Sequence, residues 1–166
     1  MWPQTKKEFR LNYSMEIRKV KPTELDQVIA LLADDDFGKL RESVTPELRI
    51  RYKRAFNQII ESEYFDLYVM HDGEGLIGCF QIMYLPHVSF GGTFRGQVES
   101  VRIRSDKRGQ GHGKELMKFA IQKAKENGCG IFQLTSNKDR DEDAHKFYKE
   151  LGMSATHEGY KLYLDH

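Results

Sequence analysis

The run Val101-Arg-Ile-Arg-Ser-Asp-Lys-Arg-Gly-Gln-Gly-His-Gly-Lys-Glu-Leu116 restricts what this chain can become more than any other segment. Its start reads as a strand, a basic glycine-rich turn follows, and the residues beyond open a helix. Such a junction aims several backbone N–H groups at one point, at the positive end of a helix dipole. It predicts a site for a phosphate-bearing ligand. Glycines at 109, 111 and 113 let the backbone approach that ligand without a Cβ in the way. The bland alternative is that these glycines only make a tight strand-to-helix turn.

Two rival phosphate-binding patterns fail on spacing. Gly109-Gln-Gly-His-Gly113 is not Gly-x-Gly-x-x-Gly, and Lys114 is followed by Glu115 rather than Ser or Thr, which excludes a Walker loop. The formal net charge of +1 gives no global pull on nucleic acid or membrane. The local balance differs: Arg102 to Lys118 holds six basic residues against two acidic ones. By itself that run would also describe a solvated helix face.

At 166 residues the chain fits one domain with a proper core. Its two cysteines, Cys79 and Cys129, have no metal-ligand spacing, and they read as reduced thiols of a cytoplasmic protein. No His/Cys/Asp cluster suggests a metal. No apolar run approaches the ~18 residues of a membrane span. Residues 1–14 lack the apolar stretch of a signal peptide and read as an N-terminal extension, with the domain spanning 15–166.

Ser14–Val20 reads as a strand. Pro22 then fits the first turn of a helix, with Leu25, Val28, Ile29 and Leu32 on one face. Thr45-Pro46 opens a second helix through about Ser62. Phe65–His71 and Leu76–Leu85 form a hairpin around Asp72-Gly73-Glu74-Gly75. Pro86–Gly96 reads as loop. Gln97–Arg104 reads as a strand whose adjacent Glu99 and Ser100 permit a bulge. A helix at Gly111–Asn127 is stopped by Gly128. Ile131–Ser136 is the next strand and Asp141–Leu151 a short helix. Met153–His157 and Tyr160–Leu164 read as two closing strands. This order predicts an α/β (α+β) fold, a mixed sheet with helices on its faces.

Arg108-Gly-Gln-Gly-His-Gly113 resembles the Arg/Gln-x-x-Gly-x-Gly/Ala signature of the GNAT superfamily of acetyl-CoA-dependent N-acetyltransferases. Three further stretches match at the expected distances. Gly96-Gln-Val-Glu-Ser-Val-Arg-Ile103 resembles the family's fourth strand, and Leu134-Thr-Ser-Asn137 the end of its fifth. Ala144-His-Lys-Phe-Tyr-Lys-Glu-Leu-Gly152 resembles its Ala-x-x-Phe-Tyr-x-x-x-Gly helix. The likeness runs from about Met15 to Leu164. A narrower likeness, in Thr-Ser-Asn and Ala-His-Lys-Phe-Tyr, is to the branch that acetylates aminoalkylphosphonates.

The resemblance implies a mostly antiparallel central sheet of about seven strands, with helices on both faces, splayed between strands 4 and 5. It implies acetyl-CoA as cosubstrate, its pantetheine arm in the splay against Val101, Arg102 and Ile103. The pyrophosphate would then sit on Arg108, Gly109, Gln110, Gly111, His112, Gly113 and Lys114. His112 departs from the aliphatic residue usual in the family. Asn137 would bond the arm or the Tyr148 region.

Acetyl transfer needs a neutral amine, a polarised thioester carbonyl and a protonated leaving thiolate. A backbone N–H at Ser100 or Val101 is the candidate oxyanion donor. The family position makes Glu99 the acceptor of the amine's proton, directly or through water. Alkylamines titrate at ~10.4 and glutamates at ~4.3, so direct removal is uphill unless burial raises Glu99 or the amine enters neutral. The alternative is a Glu99 that only holds the ammonium or makes a structural pair. Tyr148 is the family's candidate to protonate the thiolate; its alternative is a core aromatic. Asp34, Asp35, Asp36 and Phe37, with His87 and Arg95 of the Pro86–Gly96 segment, would wall the acceptor pocket. The acids suit a cationic amine, and Arg95 suits an anionic acceptor.

The expectation is an N-acetyltransferase acting on a small primary amine by direct ternary-complex transfer, with no nucleic-acid or membrane partner and a homodimer as the family's suggestion. The alternatives are a protein or aminoacyl-tRNA N-acetyltransferase, or an acyl-CoA-binding sensor without turnover.

Overall fold

A computed structural model of the chain describes residues 15–34, 38–39, 41–42, 45–137 and 142–164. Strand β1 (Glu16–Lys19) ends where Pro22 starts a 3-10 turn, Pro22–Glu24. The buried Glu24 carboxylate locks that corner: it accepts two bonds from Arg18, at 2.9 and 2.7 Å, and the Lys21 N–H at 2.7 Å. Helix α1 (Leu25–Ala33) follows directly. Helix α2 (Pro46–Ile60) is capped by the Thr45 hydroxyl, which accepts the Leu48 N–H at 3.3 Å.

Strands β2 (Phe65–His71) and β3 (Leu76–Leu85) form the hairpin with the bounds the alternation predicts. Its turn is held by the Asp72 side chain, which accepts the Glu74 and Gly75 N–H groups at 3.0 Å each. A single turn, α3 (Ser89–Gly92), carries left-handed φ/ψ at Phe90 and Gly91. Strand β4 (Phe94–Ile103) begins inside the segment that reads as loop. A 3-10 turn at Ser105–Lys107 leads through the glycines to α4 (His112–Glu126), which Asn127 caps before the left-handed Gly128. Strand β5 (Cys129–Leu134) and helix α5 (Glu142–Glu150) follow.

The strands lie in the order β1-β2-β3-β4-β5; the first three pairings are antiparallel and β4–β5 is parallel. Helices cover both faces. On one, Phe80 and Ile82 of β3 pack with Leu116, Met117 and Ala120 of α4. On the other, Val69 and Cys79 pack with Val28 of α1 and Phe56 of α2. Burial on both faces explains why β3 is apolar almost throughout. At Gly96 α4 approaches the sheet closely: a Cβ there would lie 2.9 Å from the Ala124 Cβ.

The sheet has five strands among the described residues, not about seven. Met153–His157 and Tyr160–Leu164, read as strands, join no ladder. Alternating apolar residues favour extended backbone, but a strand is completed only by a neighbour's N–H and C=O groups. Here Tyr160, Leu162 and Tyr163 stay 90%, 84% and 87% exposed instead of packing on the sheet.

Candidate active site

The loop from Arg104 to Lys114 is braced from three sides. Asp34, just past α1, accepts the Ser105 N–H at 2.6 Å and the Ser105 hydroxyl at 3.1 Å. Lys107 reaches Asp72 in the β2–β3 turn at 2.7 Å. That ammonium and the two turn amides hold the Asp72 carboxyl down at about 2, the Lys107 bond being the largest cause. Arg104 pairs with Asp106 at 2.6 Å and donates to the Leu76 carbonyl at 3.2 Å.

The signature arginine and glutamine are exposed, yet both bond back onto backbone carbonyls. Arg108 donates from Nε to the Ile103 carbonyl at 2.9 Å and from Nη2 to the Asp34 carbonyl. Gln110 donates to the Asp106 carbonyl at 3.1 Å. Both side chains therefore set the shape of the loop. The backbone does the presenting: φ is 72° at Gly109 and 87° at Gly111, and a Cβ on either would meet nothing within 4 Å. Among the described residues, the N–H groups of Gly109 through Gly113 donate to no protein acceptor, and Lys114 makes no ion pair. His112 is half-buried, and Gly113 lies against Phe147 of α5, 3.6 Å from where its Cβ would be. The result is an open, cationic cradle at the start of a fifteen-residue helix.

Beside it, β4 parts from β5. Their last paired residues are Val98 and Leu134, so Glu99 to Ile103 have β3 as their neighbour and no β5 rung. The predicted bulge lies there. The register passes from Gln81↔Glu99 to Cys79↔Arg102, and Ser100 takes φ 56°. A left-handed serine stores local strain. Its carbonyl turns toward β3 and accepts the Cys79 thiol at 3.7 Å. Across a trans peptide the N–H points opposite the carbonyl, so the Val101 N–H turns away from Cys79. Burial pushes the Cys79 thiol up to about 12, so it stays a protonated donor. Val101 and Ile103 pack their side chains on the α4 face, and Arg102 donates to the Val101 carbonyl at 2.8 Å.

Glu99 is half-buried, and its Oε1 accepts Gln97 Nε2 at 2.9 Å. Gln97 Oε1 in turn accepts Gln133 Nε2 from β5. Gln81, the register partner of Glu99, borders a cavity of about 150 Å3 between α1, α2 and the sheet. Tyr52, Phe56 and Ser100 also line it. Tyr148 packs on the α4-side cluster with Val101, Ile103 and Leu134, its ring edge-on to Phe147 at 5.3 Å. Asn137 is exposed just past β5.

The acceptor-side residues are dispersed. His87 lies in the β3–β4 connection and Arg95 at the start of β4, with both imidazole nitrogens and Arg95 Nε buried and unpartnered among the described residues. Arg95 is four residues from Glu99 on the same alternation, roughly 13 Å along the strand. Asp35, Asp36 and Phe37 fall outside the described residues. Asp34, the first acid of that run, braces the cradle.

Three residues of the site escape a reading of the sequence, and a fourth, Asp34, reads there as part of the acceptor wall rather than as the brace of the glycine loop. Cys79 looks like core. Gln97 and Gln133 are polar residues in strands; only their shared register, which a sequence does not print, marks them.

Residues 26–153 match the model of the Acetyltransferase (GNAT) family. The chain is 25% identical over 144 residues to the aminoalkylphosphonate N-acetyltransferase of Salmonella typhimurium, covering 86% of each. It superposes with TM-score 0.86 on a transcriptional regulator from Bacillus halodurans, at 39% identity over 91% of this chain and 100% of that one. A predicted acetyltransferase from Clostridium acetobutylicum, crystallised with acetyl-CoA, gives TM-score 0.72 at 16% identity over 90% and 96% of the chains.

Proposed function

The chain belongs to the acetyltransferase (GNAT) family and is an acyltransferase; on that premise we propose that it moves an acetyl group from acetyl-CoA to the primary amine of a small molecule by direct transfer. The observation that carries this reading is the cradle of undonated amides from Gly109 to Gly113, opening beside the stretch of β4 that has lost its β5 partner. Glycines with open space where Cβ atoms would stand fit a diphosphate at that cradle. The unpaired strand fits an amide-bearing pantetheine arm. Residues 15–166 act as one domain for this purpose, and Asn137 contacts the arm or Tyr148.

In this reading the amine nitrogen attacks the thioester carbon, the C–N bond forms and the C–S bond breaks. The Val101 N–H binds the developing oxyanion. Glu99 takes the amine's proton, and the Tyr148 hydroxyl gives one to the departing sulfur. Tyr68 and Tyr84 are unsuited to that last step. Both donate to Asp66 at 3.1 Å, and burial pushes Tyr68 up to about 12 and Tyr84 up as well.

The acceptor enters from the α1–α2 side, past Gln81 and Tyr52. The aminoalkylphosphonate relative supports an amine that also carries an anion. Arg95 and His87, with buried unpartnered nitrogens, are the residues to receive that anion, and Asp35, Asp36 and Phe37 the wall on the amine side. The two free thiols suit a cytoplasmic setting. The exposed Tyr160, Leu162 and Tyr163 suit a homodimer.

Thiol release from acetyl-CoA, measured across a panel of small amines that includes aminoalkylphosphonates, tests the function. Acetyl-CoA binding without release for any amine would favour an acyl-CoA-binding sensor without turnover; the Bacillus halodurans relative is called a transcriptional regulator.

A further inference from the structure

We infer that Gln97 is a positioning residue for the Glu99 carboxylate, and that Gln133 fixes its orientation from the neighbouring strand. This rests on the reading that Glu99 takes the amine's proton. Gln97 is buried in β4, and Gln133 is its register partner in β5. Two hydrogen bonds run in series, Gln133 Nε2 to Gln97 Oε1 and Gln97 Nε2 to Glu99 Oε1, the second at 2.9 Å.

The direction of the series follows from its end. An ionised carboxylate only accepts, so Gln97 must turn its NH2 to Glu99. Its carbonyl then faces Gln133, which must turn its own NH2 inward. Reversing either amide would set two acceptors against each other. Each glutamine is thus locked by the one beyond it, and Glu99 Oε1 is tied to the sheet. Among the described residues Oε2 accepts no bond, and it is the oxygen left to meet an amine or a water.

The location matters. Gln97↔Gln133 is the last rung but one before β4 and β5 separate at Val98↔Leu134. The pair carries the registry of the closed half of the sheet to the first residue of the open half. A buried amide costs free energy unless its groups are matched, whereas methionine of similar length would fill the same space without that demand. What the glutamine adds over methionine is the aim of the carboxylate.

The test uses the full chain, with acetyl-CoA and the best amine from the panel. Glu99→Gln is made first; unchanged kcat there removes the proton-acceptor reading itself. With that reading standing, Gln97→Met is expected to lower kcat about tenfold and to leave the calorimetric affinity for acetyl-CoA within about twofold. In the Glu99→Gln background the same change is expected to cost less than about twofold, because there is no carboxylate left to aim. Unchanged kcat in Gln97→Met, or a full tenfold loss that persists without the carboxylate, overturns the inference. Should Gln97→Met fail to fold, Gln133→Met on the half-buried edge strand carries the test: kcat falls with acetyl-CoA affinity kept, or the inference is wrong.

Discussion

Asp34 and Ser105, 71 residues apart in the chain, are joined by two hydrogen bonds: the Asp34 carboxylate accepts the Ser105 N–H at 2.6 Å and its hydroxyl at 3.1 Å. Arg108 closes the same corner by donating to the Asp34 carbonyl. The end of α1 therefore holds the entrance of the glycine loop in shape before any ligand arrives. Asp34→Ala should weaken acetyl-CoA binding about fivefold, or about 1 kcal/mol, by making the ligand order the loop itself. Saturated turnover should stay within about twofold. Calorimetry and steady-state kinetics read the two effects, and an unchanged dissociation constant would remove Asp34 from this role.

Tyr148→Phe keeps the ring on the α4-side cluster and deletes only the hydroxyl. A proton donor to the leaving thiolate is worth ~10²-fold or more. The variant should therefore lose most of its kcat while binding acetyl-CoA normally. If kcat survives, water protonates the sulfur and Tyr148 is a packing residue.

The Asp72–Lys107 pair makes stability depend on acid in a defined window. Asp72 titrates at about 2 in the folded protein against an ordinary 3.8. A depressed carboxyl stabilises the fold fully above its ordinary range and loses that contribution as pH falls through the folded value. The difference in Tm between the wild type and Asp72→Asn should hence be constant from pH 7 to about pH 5 and shrink between about 4 and 2. A difference that does not change with pH would mean that the turn amides at Glu74 and Gly75 hold the site without the charge.

Gly96→Ala places a methyl 2.9 Å from the Ala124 Cβ, an atom fixed to the α4 backbone. The helix must shift, at about 1–3 kcal/mol. Chemical denaturation should show that loss. Pairing Gly96→Ala with Ala124→Gly should restore part of it, and no restoration would locate the cost elsewhere.

Much of this was legible in the chain and some could not be. The hairpin β2–β3 has its turn and both alternations in consecutive residues, so its bounds read directly. The bulge shows as Glu99 and Ser100 breaking an otherwise regular alternation. The orientation of Arg108 does not show: basic charge in a glycine turn suggests an anion, but the guanidinium meets a carbonyl 74 residues earlier. The Gln97–Gln133 bond spans 36 residues and two strands. Register is a property of a folded sheet, and neither glutamine differs in composition from a surface one. The closing strands failed for the converse reason: Tyr160, Leu162 and Leu164 alternate well, but alternation supplies no partner.

Because β4 is unaccompanied beyond Val98, the half of it that carries the bulge is stiffened from one flank only. On the proposed function, the amide-bearing arm of the nucleotide thioester would supply the second flank, so that filling the site and completing the sheet would be one event.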